Sequence, residues 1–346
     1  MRHFSSTALC MLLVASNAAA AEPRPTLTFL TWEDYISDEV IDQWYAKTGI
    51  PVKQVLFDDE AQRNLILTGS TVRQIDLAIV DRSSMDVLSR TGQLYPVRKS
   101  KGREAFFPDA CGTYGQQYAW GSYGITYRED KLATPPTSWK ALLNPTDEMA
   151  GHIGMLGQAD ELLAAALFAL ELSPVSNENN DLKSAFELLK QQSASVYSYE
   201  YIYTYISDNP KQDDIWVAPA YSGDQLGLNE LQNTDAWRFV VPEDGSMVWI
   251  DCLAIPSKST LKEQAQQFID FLSEAKISAL NSEELGVATP FKDAWQLQSE
   301  DVKQDGSVYL TAEQLDETRL FSGFKGTEIL QRTRIKDALL RYHDTH

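Results

Sequence analysis

The chain has 346 residues, with 49 Asp and Glu against 30 Lys and Arg and a formal net charge of −19. So acidic a surface argues against nucleic acid as a partner, because phosphate binding needs clustered cations that release counterions. Only three cysteines occur, too few for a disulfide scaffold, and the length is enough for two lobes.

The first residues, MRHFSSTALCMLLVASNAAAAE, combine Arg2, an apolar run through Val14 and small residues around Ala20 and Ala21. This reads as a cleavable secretory signal peptide over 1–21, too short and wrongly flanked for a membrane span. Cys10 lies inside the apolar run, which argues against a lipid-anchored start. The mature chain is expected in the periplasm, soluble and monomeric, and loss of Arg2 takes its charge from −19 to −20. Cys111 and Cys252 remain, either bridged in an oxidising compartment or buried as two separate thiols.

TLTFL (26–30) reads as a short strand. SDEVIDQWYAKTG follows with a helical stripe of Val40, Ile41, Trp44 and Tyr45, an N-cap at Ser37 and a stop at Gly49. IPVKQVLF (50–57) is a second strand, DDEAQRNLILTG a helix, and QIDLAIVD (74–81) a nearly continuous apolar strand. SSMDVLSRTG is helical and returns to LYPV. This alternation predicts an α/β lobe with a largely parallel sheet. HIGML (152–156), the helices ADELLAAALFALEL and DLKSAFELLKQQ, and the strand DIWVAPA (214–220) repeat the pattern. WRFVVPEDGSMVWIDCLAIP reads as two strands around the turn PEDG, and the remainder is mostly helical. The expected organisation is lobe 1 from 22–131 plus 251–300 and lobe 2 from 132–250 plus 301–346.

In VYSYEYIYTY, tyrosines alternate at 197, 199, 201, 203 and 205. Strict period two puts them on one face of a strand, either packed on a lobe surface or lining a cleft or docking patch.

Catalytic signatures are scarce. His152 stands alone before a strand, without metal-ligand spacing, and YSGD at 221–224 is not a nucleophile elbow. No phosphate loop or dinucleotide fingerprint occurs, so no cofactor, metal or enzyme activity is expected. Aromatic and acidic residues, by contrast, recur together at strand ends. TWEDY places Trp32, Glu33, Asp34 and Tyr35 after the first strand, and Asp81 ends the third. APAYSGD supplies Tyr221 and Asp224, and MVWIDCLAIP puts Trp249 and Asp251 on one face of an otherwise apolar strand. In open α/β sheets, ligands bind at the carboxyl ends of strands. Carboxylates neutralise ammonium groups while Trp and Tyr faces attract cations and cover methylene chains, so the pattern suits a flexible aliphatic amine.

These motifs resemble those of bacterial periplasmic polyamine-binding proteins, the spermidine- and putrescine-binding components of ABC transporters, over nearly the whole mature chain. FLTWEDYISDEVIDQWYAKTGIPV, QIDLAIVD, QYAWGSYGITY and MVWIDCLAIPSKSTLKEQAQQFIDFLSEAKISAL carry the resemblance. It implies a type II-like periplasmic binding fold, two α/β lobes joined by crossing strands that close on a ligand in the cleft between them. It implies ligand-binding roles for Trp32, Tyr35, Glu33 or Asp34, Trp249, Asp251, Tyr221, Asp224 and Glu161. The sequence departs from the pattern at Gly157, where a binding Asp is expected with Asp160 nearby. Asp81 replaces a Ser and is followed by Arg82, which could partly neutralise it, and Val287 replaces a Tyr. The implied partners are a linear polyamine of spermidine, putrescine or norspermidine type and an inner-membrane ABC permease. The alternative is a sensor role, docked on a membrane cyclic-di-GMP signalling receptor.

Overall fold

The computed structural model describes residues 25–57, 59–99, 103–317, 319–320, 324 and 326–345; the expected signal peptide lies outside them. Eleven strands are present among these residues: β1 (Leu27–Thr31), β2 (Val52–Leu56), β3 (Leu77–Asp81), β4 (Leu94–Tyr95), β5 (Gly115–Arg128), β6 (Ile153–Gly154), β7 (Val196–Ser198), β8 (Val217–Tyr221), β9 (Trp237–Val240), β10 (Met247–Pro256) and β11 (Arg319–Leu320). The main path runs β2-β1-β3-β10-β5-β8-β6-β7. β1 pairs in parallel with β2 and β3, as the strand–helix alternation predicts, and antiparallel β10 then joins β3 to β5.

β5 is the long connector. Its first half, Gly115 to Ser122, pairs with β10, and its second half, Tyr123 to Tyr127, pairs with β8. One strand therefore belongs to two sheets, and the chain forms two α/β lobes joined where β5 and β10 cross between them. β9 and β10 both pair with β5 rather than with each other, so the PEDG turn links neighbours of a third strand and does not close a hairpin.

Helix boundaries follow local chemistry. In α1 (Asp38–Thr48) the Ser37 side chain accepts from the Val40 amide, and Gly49 ends the helix in the left-handed region at φ 67°. In α2 (Glu60–Thr68) and α3 (Arg82–Arg90) the caps are Asp59 and Asp81, each accepting an amide of the first turn. Apolar clusters fill both faces of the first sheet. One holds Leu30, Val80, Trp120, Ile250 and Cys252; the other holds Phe29, Trp44, Ile79, Leu253 and Phe268. The second lobe's core is built on α4 (Trp139–Leu143), α5 (Ala159–Ala169) and α6 (Asn179–Gln192), with Leu339 of the last helix packed in. Val308, Tyr309 and Leu310 pack in the first lobe beside Trp120 and Cys252, so that segment does not go with lobe 2 as its position in the chain suggested.

Cys111 and Cys252 are bonded, with Cα atoms 5.8 Å apart, which resolves the two readings left open for them. The alternating tyrosines do not form one strand. Only Val196–Ser198 is extended, and α7 (Ile202–Asp208) follows. Ile202, Tyr205 and Ile206 are buried on one helical face, and their i, i+3, i+4 spacing prevails over the period-two tyrosines. Among the described residues, no helix is long and apolar enough to cross a membrane.

Candidate ligand-binding site

The first lobe contributes a pair of carboxylates on adjacent strands. Asp81 ends β3 and Asp251 lies directly opposite it on antiparallel β10. The pairing of β10 with β5 shifts register at Asp251, where Tyr118 is the extra residue of a bulge. Tyr118 donates to the Tyr35 carbonyl at 2.7 Å and accepts from Asn281 at 2.9 Å, which fixes the turn carrying Tyr35.

The two acids have opposite fates. Burial acts to raise Asp81, but the Arg63 guanidinium, the Ser83 and Ser84 hydroxyls and the Ser84 amide together hold it below the usual carboxylate range. Asp251 is buried with 8% of its surface exposed. Burial first, and then the Asp81 charge, push it up to about 6, tempered by the neighbouring Tyr35 hydroxyl and by Arg63. No cation among the described residues forms an ion pair with it. Trp249, two residues earlier on the same face, is half-buried with an indole N–H that finds no acceptor. It lies against Gly121, where a Cβ would come within 2.5 Å of the ring. Trp32 packs against Phe57 with centroids 4.2 Å apart and the rings tilted by 53°.

The second lobe supplies hydroxyl-bound carboxylates. Glu161, in the first turn of α5, accepts from the Tyr221 hydroxyl at 3.0 Å, while the Tyr123 hydroxyl donates to its carbonyl at 3.3 Å. Burial and the adjacent Asp160 charge raise Glu161 to about 7. Asp224, the first residue of α8 (Asp224–Gln232), accepts from the Tyr201 hydroxyl at 2.5 Å and from the Tyr221 amide at 2.7 Å. Burial nevertheless raises it to about 7. Tyr221 also places its ring 6.5 Å from Trp249 and 5.9 Å from Tyr201.

Charge interactions link the halves. Glu60, exposed at the start of α2, has its carboxyl raised by local loss of hydration and then by Asp81, with Glu161 and Asp251 adding to the effect while Arg63 opposes it. Acids of both lobes thus lie within electrostatic reach of one another, with the Tyr221 and Trp249 rings among them. Glu33 and Asp34 are exposed on the turn after β1, with Asp34 in the left-handed region at φ 49°. They face Tyr203 from the rim; burial raises that hydroxyl, and Asp34, Asp224 and Glu33 raise it further.

Of the residues read from sequence, the structure gathers Tyr35, Asp81, Glu161, Tyr221, Asp224, Trp249 and Asp251, sets Trp32 beside them on Phe57, and leaves Glu33 and Asp34 at the edge. Asp160 is turned away and paired at 3.6 Å with the buried Arg332. Arg82 does not neutralise Asp81; it donates to the Asp109 and Ala110 carbonyls. Glu60 and Arg63 were not foreseen, and of the alternating tyrosines, read either as surface packing or as a cleft wall, Tyr201 reaches Asp224. Glu60 lies just beyond β2, and strand-end reasoning extended to that strand would have reached it.

This arrangement is that of a two-lobed solute-binding protein of type II architecture. The chain belongs to the bacterial extracellular solute-binding proteins, whose family model matches residues 39–308. It is 33% identical over 327 residues to the norspermidine sensor of Vibrio cholerae serotype O1, covering 94% of this chain and 91% of that one. It is 27% identical over 328 residues to the putrescine-binding periplasmic protein PotF of Escherichia coli K12, covering 87% and 88%. The spermidine/putrescine substrate-binding protein PotD of Streptococcus pneumoniae superposes with a TM-score of 0.78 at 21% identity, covering 92% and 99%. MotA of A. tumefaciens B6, solved with glucopine, gives 0.70 at 14% identity, covering 91% and 99%. The last two likenesses concern the fold alone, and they show it serving different ligands.

Proposed function

We propose that this chain captures a linear polyamine of the putrescine, spermidine or norspermidine type in the cleft between its lobes. The observation that carries the reading is Asp251, a buried carboxylate between aromatic walls with no cation of its own. Desolvating an unpaired charge is costly, and an ammonium group delivered by the ligand removes that cost. Glu161 and Asp224 supply further acids across the cleft, and Trp249, Tyr221 and Tyr35 cover the methylene chain between charged ends. The relatives from Vibrio and Escherichia, a norspermidine sensor and a putrescine-binding protein, support this ligand class. The protein acts by binding rather than turnover, works in the periplasm, and closes because the ligand favours the closed form.

The primary role proposed is delivery to an ABC permease. Similarity to the norspermidine sensor supports a second reading, docking on a membrane cyclic-di-GMP receptor. Calorimetric titration of the refolded mature protein with putrescine, cadaverine, norspermidine, spermidine and spermine tests the ligand. One-to-one binding of one or two of them is expected, and no heat with any of them overturns the reading. Polyamine uptake by cells lacking the gene separates the roles: reduced uptake supports transport, and unchanged uptake with an altered cyclic-di-GMP response supports sensing.

A further inference from the structure

Arg63 is a fully buried cation beside the proposed ligand cleft. Its Nη2 pairs with Asp81 Oδ2 and donates to Ser84 Oγ at 2.8 Å, while Nε donates to Asn64 at 3.2 Å. The other oxygen of Asp81 accepts from the Ser84 amide at 2.8 Å and from the Ser83 hydroxyl. Both oxygens of this acid are therefore occupied from within the protein. Asp251, its cross-strand neighbour, has the Tyr35 hydroxyl beside it and no ion-pair partner among the described residues. Two acids lie side by side, and one is already neutralised.

An ion pair costs desolvation of both groups and gives back little net stability, so neighbouring acids sharing one internal cation are poorly explained by stability alone. The pair makes sense as a limit on the ligand. We propose that Arg63 is a specificity-determining residue whose guanidinium fills the place a further ligand ammonium would need at Asp81. This rests on the polyamine reading above and adds a rule to it: the cleft accepts amines whose charges match Asp251 and the second-lobe acids. A further charged group at the Asp81 end meets a cation instead of an acceptor. Arg63 is held by three side chains, Asp81, Ser84 and Asn64, and lies 5.6 Å from the centre of the Phe57 ring, while its Nη1 has no acceptor.

The test compares dissociation constants for putrescine, norspermidine, spermidine and spermine by calorimetry, in wild type and variants shown to be folded by circular dichroism. Arg63→Met, and Arg63→Gln, which keeps a donor for Asp81, should each improve binding of triamines and the tetraamine relative to putrescine. The expected gain is about tenfold, the lower end for a charge-assisted hydrogen bond. Adding Asp81→Asn to Arg63→Met should cancel the gain. Arg82→Met removes a charge of the same sign from an adjacent position without freeing Asp81, and it should leave the ranking unchanged.

If Arg82→Met shifts the ranking as much as Arg63→Met, the effect is general field strength and the proposal falls. An unshifted ranking in both Arg63 variants overturns it too, as does failure of both to fold, which would make Arg63 a structural residue only. A wild type that binds no polyamine overturns the ligand reading itself, a result distinct from binding with an unshifted ranking.

Discussion

The two walls of the cleft treat their carboxylates differently. On the first-lobe wall, Asp81 is met by a guanidinium and stays ionised, while Asp251 a few ångströms away has only the Tyr35 hydroxyl and rises to about 6. On the second-lobe wall, both acids have tyrosine hydroxyls and both rise to about 7. A hydroxyl supplies a hydrogen bond but no charge, so it stabilises a buried carboxylate without cancelling its field. On the proposed reading, the contrast leaves Asp251, Glu161 and Asp224 available to a guest cation, with Asp81 already paired to Arg63.

The largest expected effect comes from removing the most isolated of these charges. Asp251→Asn should weaken polyamine binding by about 2–4 kcal/mol, as for a buried charge partner. The same change removes a repulsion with Asp81, so the ligand-free variant should melt higher than wild type. Weaker binding with a higher melting temperature is the expected pair of results, and unchanged affinity removes Asp251 from the site.

The next effect is a pH dependence shared by both walls. In the empty protein Glu161 and Asp224, raised to about 7, are partly protonated near neutrality and Asp251, raised to about 6, takes up its proton just below it, whereas amines similar to lysine stay charged up to pH ~10. Binding a cation favours the ionised acids, so affinity should rise from pH 5.5 to 8, with protons released on binding. Titrations in buffers of different ionisation enthalpy measure that release. Stability of the empty protein should run the other way. These three acids have folded pKa values above their unfolded values, so their contribution is full below pH ~4 and is lost as pH rises toward ~7. Asp81, with its folded value lowered, contributes above pH ~4 and loses that contribution as pH falls. Denaturant melts from pH 4 to 8 should therefore show a falling limb in the ligand-free protein that saturating ligand removes.

Trp249→Ala is expected to cost less, about 1–2 kcal/mol, because it deletes a cation–π face and apolar cover rather than a charge. Its penalty should change little between 50 and 500 mM salt, while wild-type affinity itself falls with salt. A penalty that vanishes at high salt would show Trp249 acting only through its neighbours' charges.

Much of this contrast was legible in the sequence, because strand ends can be located from apolar runs and TWEDY, APAYSGD and WID each follow or interrupt one. Asp251 stood out as a charge where an apolar residue belonged. Glu60 and Arg63 escaped because both read as ordinary surface positions of an amphipathic helix. Arg63 becomes a buried cation only when α2 is laid beside α3, a tertiary fact that no local pattern records. The neighbouring Arg82 was the nearer candidate in sequence, but its position after the Asp81 cap turns it toward the Asp109–Ala110 carbonyls. Tyr201 was misplaced because alternation of one residue type imitates a strand, whereas the buried set Ile202, Tyr205 and Ile206 carries the helical spacing. The disulfide could be permitted from composition but not deduced, since nothing local brings residues 111 and 252 together.

That bridge also orders events during synthesis. Its two sulfurs are separated by 141 residues, and β10, which carries Cys252, lies between β3 and β5 in the first sheet. The first lobe therefore lacks its middle strand until most of the chain has emerged. Until then Cys111 has no partner in place, and the half-built sheet exposes an open strand edge to the surrounding milieu. The native bond can form only after Cys252 has emerged, so its formation comes late, when the second of the two thiols becomes accessible. Thiol-trapping during export would show this as a free Cys111 that persists until late in maturation and then disappears in a single step.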